Sequence, residues 1–343
     1  MAENQSKKAQ AWKYFDAIAA AAAPDEEHSN PWQTSSDGEI CFSPDYRVLE
    51  QFLSVPLVLS AGTQSGVPAL ALDVWLSYEL RRAGFHPNQV WPRPTNPRIF
   101  PAAASALIDS LPSKLRNEIA DRVSNKTSIR GVTSSAGTIL GKNYLKQVDV
   151  IISDWSTGPE LLVSTKRMDS SYGKNAPNRI EESYGDAKNL RLRHPLAATG
   201  FLFGLNADIL LKEPNTAEWL FDLLIKLGRE EDAYHATCVI LMSYSDPSPS
   251  EENEEQGTSV KLERDKEDAT EHHYEDVVDP NIIDRIIHDP IVSVVLDRAP
   301  DALQPARFLA TIATQVLEAT PIDMHPEVRR RIRAATPNLS GQR

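Results

Sequence analysis

Val148-Asp149-Val150-Ile151-Ile152, followed by Leu161-Leu162-Val163-Ser164-Thr165-Lys166, decides how this chain is read. Both runs are short, apolar and rich in β-branched residues, which predicts strands: a long strand or strand pair over Thr138 to Asp154 and one strand over Glu160 to Lys166. Side chains alternate along a strand, so Ser164 and Lys166 point together and Asp149 shares a face with Ile151. Paired as a hairpin, the two strands bring Asp149 and Lys166 to one edge of a sheet.

Working outward, Asn178 to Leu190 reads as a helix beginning at an Asn cap. Ala197 to Leu205 is a strand, Thr216 to Leu227 an amphipathic helix and Ala236 to Tyr244 an apolar strand. That order predicts an α/β fold, a mixed sheet covered by helices. Upstream, Ala9 to Ala23 carries Trp12, Phe15 and Ile18 at helical spacing, and Asp25 to Asp45 is polar loop. Pro68 to Phe85 is a helix, Pro87 to Pro101 is too proline-dense for regular structure, and Ala102 to Val123 is helical with a break near Pro112. Between Glu251 and Asp276, 11 acidic residues face 3 basic ones with few large apolar groups, so this segment cannot bury enough surface to fold alone. Asn281 to Ile287 and Pro305 to Leu317 are closing helices, and the basic tail from Arg329 is expected to fray. The organisation is therefore an N-terminal helical region (1–100), a core (101–245), an acidic insertion or linker (246–276) and a C-terminal helical region (277–343).

Composition narrows the classes. At 343 residues, 41% apolar and 24% charged, the chain has the balance of a soluble protein. Its longest apolar run, Ala17 to Ala23, falls far short of the roughly 20 residues that span a bilayer, so no membrane partner is expected. The first residues lack the apolar core of a secretion signal, which predicts a cytoplasmic protein. Cys41 and Cys238 stand far apart, excluding a disulfide framework and a thiolate zinc site. The net charge of −12 opposes a nucleic-acid partner, yet the stretch Lys114 to Lys146 holds seven Lys or Arg against Glu118 and Asp121. Local field, not total charge, decides what a cleft attracts.

The chemistry follows from Asp149, Lys166 and the Glu181-Glu182 pair on the next predicted helix. Two carboxylates at one strand edge hold Mg²⁺, which stabilises charge developing on a scissile phosphate and acidifies a bound water. A neighbouring Lys orients that water and adds positive charge. Against this stands an ordinary structural account: Lys166 as a solvated strand end, Asp149 as a turn acid, and the Glu pair as a favourable first-turn charge.

This pattern resembles the PD-(D/E)XK nuclease superfamily over roughly Leu140 to Tyr244. Where that superfamily usually carries Glu-x-Lys, this chain has Ser164-Thr165-Lys166, and Val148 precedes the Asp. The chain is similar to the CCGG-family restriction endonucleases, in which Ser-x-Lys replaces Glu-x-Lys and the acid has moved to the following helix; here that segment is Asn178-Arg179-Ile180-Glu181. The resemblance implies a restriction-endonuclease-like core, with Asp149 and Glu181 as metal ligands, Lys166 as the water-orienting base and Glu182 as the second choice for the displaced acid. It also implies a further ligand from an N-terminal helix, for which Glu79 is the candidate. The base-reading segment of that family shrinks here to Arg167-Met168-Asp169, so its recognition sequence is not carried over; Arg167, Lys174 and Arg179 are candidate DNA contacts. The expected protein is a Mg²⁺-dependent endonuclease on double-stranded DNA, a restriction or defence enzyme working as a homodimer or higher homo-oligomer. The alternative is a non-catalytic DNA-binding or defence-complex protein on a degenerate nuclease fold.

Two other motifs are set aside. Gly137-Thr138-Ile139-Leu140-Gly141-Lys142-Asn143 is one residue short of a P-loop and has Asn where a Mg²⁺-binding Ser or Thr belongs. His272-His273 lies in the acidic stretch without fixed geometry. Trp75, Trp91, Trp155 and Trp219 are expected as core or interface anchors.

Overall fold

The computed structural model describes residues 2–124, 137–245 and 278–336. The acidic 246–276 segment with His272 and His273, and Lys126 and Arg130 of the basic stretch, lie outside them. The helices are α1 (Ala2–Ala22), α2 (Tyr46–Val58), α3 (Val67–Ala83), α4 (Ala102–Asp109), α5 (Ser113–Ser124), α6 (Tyr172–Arg191), α7 (Ile209–Lys212), α8 (Pro214–Leu227), α9 (Pro280–His288), α10 (Pro305–Ala319) and α11 (Pro326–Ala335). The strands are β1 (Trp32–Thr34), β2 (Ile40–Phe42), β3 (Val90–Trp91), β4 (Gly137–Leu140), β5 (Leu145–Val148), β6 (Val150–Asp154), β7 (Gly158–Met168), β8 (Ala198–Asn206), β9 (Ala236–Tyr244) and β10 (Val292–Val294).

The fold is mixed α/β. Six strands form one sheet in the order β10-β9-β8-β7-β6-β3. β6 and β7 pair antiparallel as the hairpin expected from the sequence, with Val150 opposite Val163 and Ile151 opposite Leu162. β7, β8 and β9 then run parallel, as their α6 and α8 crossovers require. Buried between helical layers on both faces, β8 and β9 read as continuous apolar runs rather than alternating ones.

Each sheet face has its own core. On one, Val150, Ile152, Leu161 and Val163 meet Phe15, Phe52, Leu72, Trp75, Phe308 and Ile312, so α1, α2, α3 and α10 build a single layer from both ends of the chain. On the other, Phe201, Phe203, Val239 and Leu241 meet Ile180, Leu220 and Leu224 of α6 and α8. A side chain at Gly204 of β8 would come within 2.8 Å of Leu72 Cδ1, so this glycine lets α3 lie close against the sheet.

Several boundaries depart from expectation. Asp25 to Asp45 is not all loop: β1 and β2 form a small hairpin, held by an edge-to-face Trp32–Phe42 pair at 5.1 Å and turned at Gly38. The segment expected to be one or two strands is three, because the chain turns back between β4 and β5 and breaks again at Asp149. α6 starts at Tyr172 rather than at an Asn178 cap; Pro177 lies inside its second turn, where the missing N–H forfeits one bond. Of the segment from Arg329, residues up to Ala335 belong to α11, fixed by buried Val328 and by Arg331, which donates to the carbonyls of His28, Ser29 and Arg82, and residues 337–343 lie outside the described residues. Trp75 is fully buried as expected, whereas Trp155 is 84% exposed at the β6–β7 turn.

Candidate active site

Asp149 sits at the break between β5 and β6. Its N–H donates to Val163 O at 3.2 Å, and its Oδ2 accepts from Thr165 N at 2.8 Å. The carboxylate thus takes the place of the backbone partner that β7 loses where the β6 ladder stops. Thr165 is the residue before Lys166, so its hydrogen bond brings the Asp149 carboxylate near the Lys166 end of β7. Burial raises the Asp149 carboxyl above the usual aspartate range, opposed by the Thr165 N–H and by the Lys166 and Lys146 ammoniums.

The α3 acid at this place is Asp73, not Glu79. Asp73 accepts a hydrogen bond from Thr165 Oγ1, so one threonine holds two carboxylates, Asp149 through its N–H and Asp73 through its hydroxyl. Burial, and then the charge of Asp149, push the Asp73 carboxyl well above its ordinary range. Six residues along α3, about 240° around the helix, Glu79 faces elsewhere. It is fully buried, paired with Arg82 Nη1 at 2.7 Å and accepting from Asp45 N at 2.7 Å. Burial pushes its carboxyl up to about 7. It is a structural acid of the helical layer. The sequence did carry a signal for Asp73: it is the lone charge in Leu70-Ala71-Leu72-Asp73-Val74-Trp75, where burying a carboxylate is costly without a partner.

Of the two α6 glutamates, Glu182 faces the site. Its Oε1 lies 3.4 Å from Lys166 Nζ and 3.6 Å from Lys146 Nζ, and its Oε2 lies 3.7 Å from Arg179 Nη1. Partial burial would raise the Glu182 carboxyl, but Lys166 and Lys146 outweigh it and hold it low. Glu181 is exposed; the buried stripe Ala176, Ile180, Ser183, Ala187 and Leu190 turns it away from Lys166. One turn beyond Glu182, buried Asp186 pairs with Lys146 and accepts from Tyr144 Oη at 3.1 Å. Burial would lower the Lys146 ammonium, but Asp186 and Glu182 overcome it and raise it. Sequence reasoning missed Asp73, Lys146 and Asp186 as site residues.

The DNA-contact candidates divide. Arg167 is buried: its Nε donates to Asp169 Oδ2 at 2.9 Å, Nη2 to Tyr244 Oη at 2.6 Å and Nη1 to Pro68 O at 3.2 Å. Every arm of the guanidinium is occupied, so Arg167 ties the ends of β7 and β9 to α3 and is not free for a groove. Lys174 and Arg179 are exposed on α6.

Among the described residues, no three His, Cys, Asp or Glu side chains gather as a cage for a metal ion. The Asp73–Asp149 pair offers a smaller donor set. Mg²⁺ keeps several waters and commonly uses one or two carboxylates, and a divalent cation relieves the mutual repulsion that raises Asp73. The residues therefore fit a water-rich Mg²⁺ site. They do not fit a Glu79 or Glu181 ligand. No helix among the described residues is long and apolar enough to cross a membrane. No protein-family model, curated protein or solved structure matches the chain.

Proposed function

We propose that this protein is a Mg²⁺-dependent endonuclease that hydrolyses phosphodiester bonds of double-stranded DNA, built on a PD-(D/E)XK-like core. One observation carries the reading: where the β6–β7 ladder ends, Asp149 accepts from the N–H of Thr165, the residue before Lys166, and Glu182 from the following helix lies 3.4 Å from Lys166 Nζ. Glu182, the second choice for the displaced acid, serves Lys166 here rather than the metal. Mg²⁺ on Asp149 and Asp73 would supply charge neutralisation at the phosphate and a water of lowered pKa. Thr165 fixes both carboxylates. Lys166 orients the attacking water and donates to the phosphate, and Glu182 holds the Lys166 ammonium in place. Lys174 and Arg179, exposed on α6, contact the DNA backbone. Cleavage of both strands at a symmetric site calls for a homodimer or a higher homo-oligomer, in keeping with a restriction or defence enzyme.

The test is cleavage of supercoiled plasmid and of long viral DNA with Mg²⁺. Wild type nicks or linearises them, and Lys166→Ala does not while keeping its melting temperature. Cleavage unchanged in Lys166→Ala would refute the assignment.

A second reading, a DNA-binding or defence-complex protein on a degenerate nuclease fold, draws on the lack of a three-ligand metal cage among the described residues. Calorimetric titration with Mg²⁺ separates the two: heat that vanishes in Asp149→Asn favours the enzyme, and no heat in wild type favours the degenerate fold.

A further inference from the structure

Lys146 reaches the site from a separate element. It lies on β5, whose hairpin with β4 is fastened to α6 through Asn189 and Asp186. Lys142 N donates to Asn189 O at 2.7 Å, Asn143 N to Asn189 Oδ1 at 2.9 Å, and Asn189 Nδ2 to Tyr144 O at 3.1 Å. Tyr144 Oη on Asp186 adds a fourth tie. The hairpin is therefore held against α6 before any ligand arrives, and Lys146 with it.

The Lys146 and Lys166 ammoniums come from different strands and meet at the same atom, Glu182 Oε1, at 3.6 and 3.4 Å. A lysine whose work was only to pair with Asp186 has no need of this second carboxylate, which is 42% exposed. The geometry instead brings two ammoniums from different strands to one carboxylate oxygen, a position that a phosphate oxygen can take. Asp186 and Glu182 balance the two ammoniums, so what Lys146 offers a phosphate is a fixed second N–H donor beside Lys166 rather than a net charge.

We infer that Lys146 is a second cationic contact to the scissile phosphate, and that Asp186, with Asn189 behind the hairpin, is its positioning residue. The inference rests on the nuclease reading above. As water attacks, an oxygen–phosphorus bond forms and the water gives up a proton to solvent, while the bond to the leaving oxygen breaks and the leaving alkoxide takes a proton from solvent. Lys146 transfers no proton; its N–H groups bond the non-bridging oxygen on which charge accumulates.

The experiment uses the full chain, supercoiled plasmid and Mg²⁺. Four variants are compared with wild type: Lys146→Gln, Lys146→Arg, Asp186→Asn, and Lys146→Gln combined with Asp186→Asn. Lys146→Gln is expected to lower kcat by about 100-fold with KM little changed, the size of loss seen when one donor to a developing anion is removed. Lys146→Arg keeps the rate within about tenfold, since it keeps the charge. The double variant removes both members of the buried pair and so avoids an unpaired acid. It stays as slow as Lys146→Gln if Lys146 touches phosphate, and returns towards the wild-type rate if the pair is only structural, which would overturn the inference. Should Lys146→Gln not fold, the double variant and Lys146→Arg decide in the same way. Wild type that cleaves through Lys166 while Lys146→Gln matches it overturns this inference alone. Wild type that does not cleave, or cleaves without Lys166, removes the nuclease reading and this inference with it.

Discussion

Asp73→Asn offers the sharpest separation of a metal site from an ordinary buried acid. Asparagine keeps the Oδ1 that accepts from Thr165 Oγ1 and removes only the charge. Both carboxylates bond Thr165, and two such charges about 6 Å apart repel by about 3 kcal/mol at an effective dielectric near 20. Lys166 and Lys8 offset part of this at Asp73, leaving about 2 kcal/mol. Both carboxyls titrate higher in the folded protein than in the unfolded chain. Without metal, the folded state therefore holds more protons over the range above pH 3.8, and stability falls as pH rises through it. Above that range Asp73→Asn removes the repulsion. The unfolding entropy of a chain this long is about 0.7 kcal/mol/K, so the variant should melt about 3 °C above wild type at pH 8 in chelator, and near wild type at pH 4. Adding Mg²⁺ at about 100 times its dissociation constant should stabilise wild type by about 2.7 kcal/mol, or about 4 °C, and the variant far less. The assay is a melting curve with and without Mg²⁺ at both pH values. A variant that melts below wild type at pH 8 in chelator, or a wild type that Mg²⁺ leaves unmoved, refutes the paired-carboxylate argument.

Arg167→Ala should lower stability by about 3–5 kcal/mol, because Asp169 is left buried without its partner; a loss of DNA affinity at unchanged melting temperature would contradict the buried role. Glu79→Ala should destabilise by about 3 kcal/mol through the broken Arg82 pair while leaving the Mg²⁺-dependent rise in melting temperature in place, and loss of that rise would return Glu79 to the metal site. Gly84 ends α3 at φ +110°, and a Cβ there would stand 2.8 Å from Val328 N. Gly84→Ala therefore combines a strained backbone with a clash against α11 and should cost about 2–4 kcal/mol, read as a lowered midpoint in urea.

The sheet was legible because β6 and β7 carry their information locally. Alternation over Leu161 to Lys166, with Asp149 interrupting the preceding apolar run, is enough to pair the two strands as a hairpin and bring Asp149 to the Thr165–Lys166 end of it. What was not legible depends on contacts between distant segments. Asp73 meets Thr165 across 92 residues, and only the close passage of α3 over Gly204 brings it there. The choice of Glu182 over Glu181 is a matter of α6's rotation. The buried stripe Ala176-Ile180-Ser183-Ala187-Leu190 fixes that rotation and puts Glu182 and Asp186 along its edge, but Asn178 as a starting cap drew attention to Glu181. Arg167 was misread because its partners, Asp169, Tyr244 and Pro68, are unremarkable as sequence neighbours and decisive in space. The β1–β2 hairpin, set in a polar stretch, and the Arg-rich α11 were hidden for the same reason: each is held by residues from the opposite end of the chain.

That last arrangement bears on timing. The layer that presses α3 onto the sheet includes α10, and α11 locks onto α3 and the β1 segment through Arg331 and Asn30. A ribosome delivers Asp73, Asp149 and Lys166 long before it delivers Phe308 and Ile312. Until those later residues arrive, that sheet face has α1, α2 and α3 but lacks the α10 part of its layer. The layer that holds α3 and Asp73 over Thr165 is therefore completed only once α10 has been made.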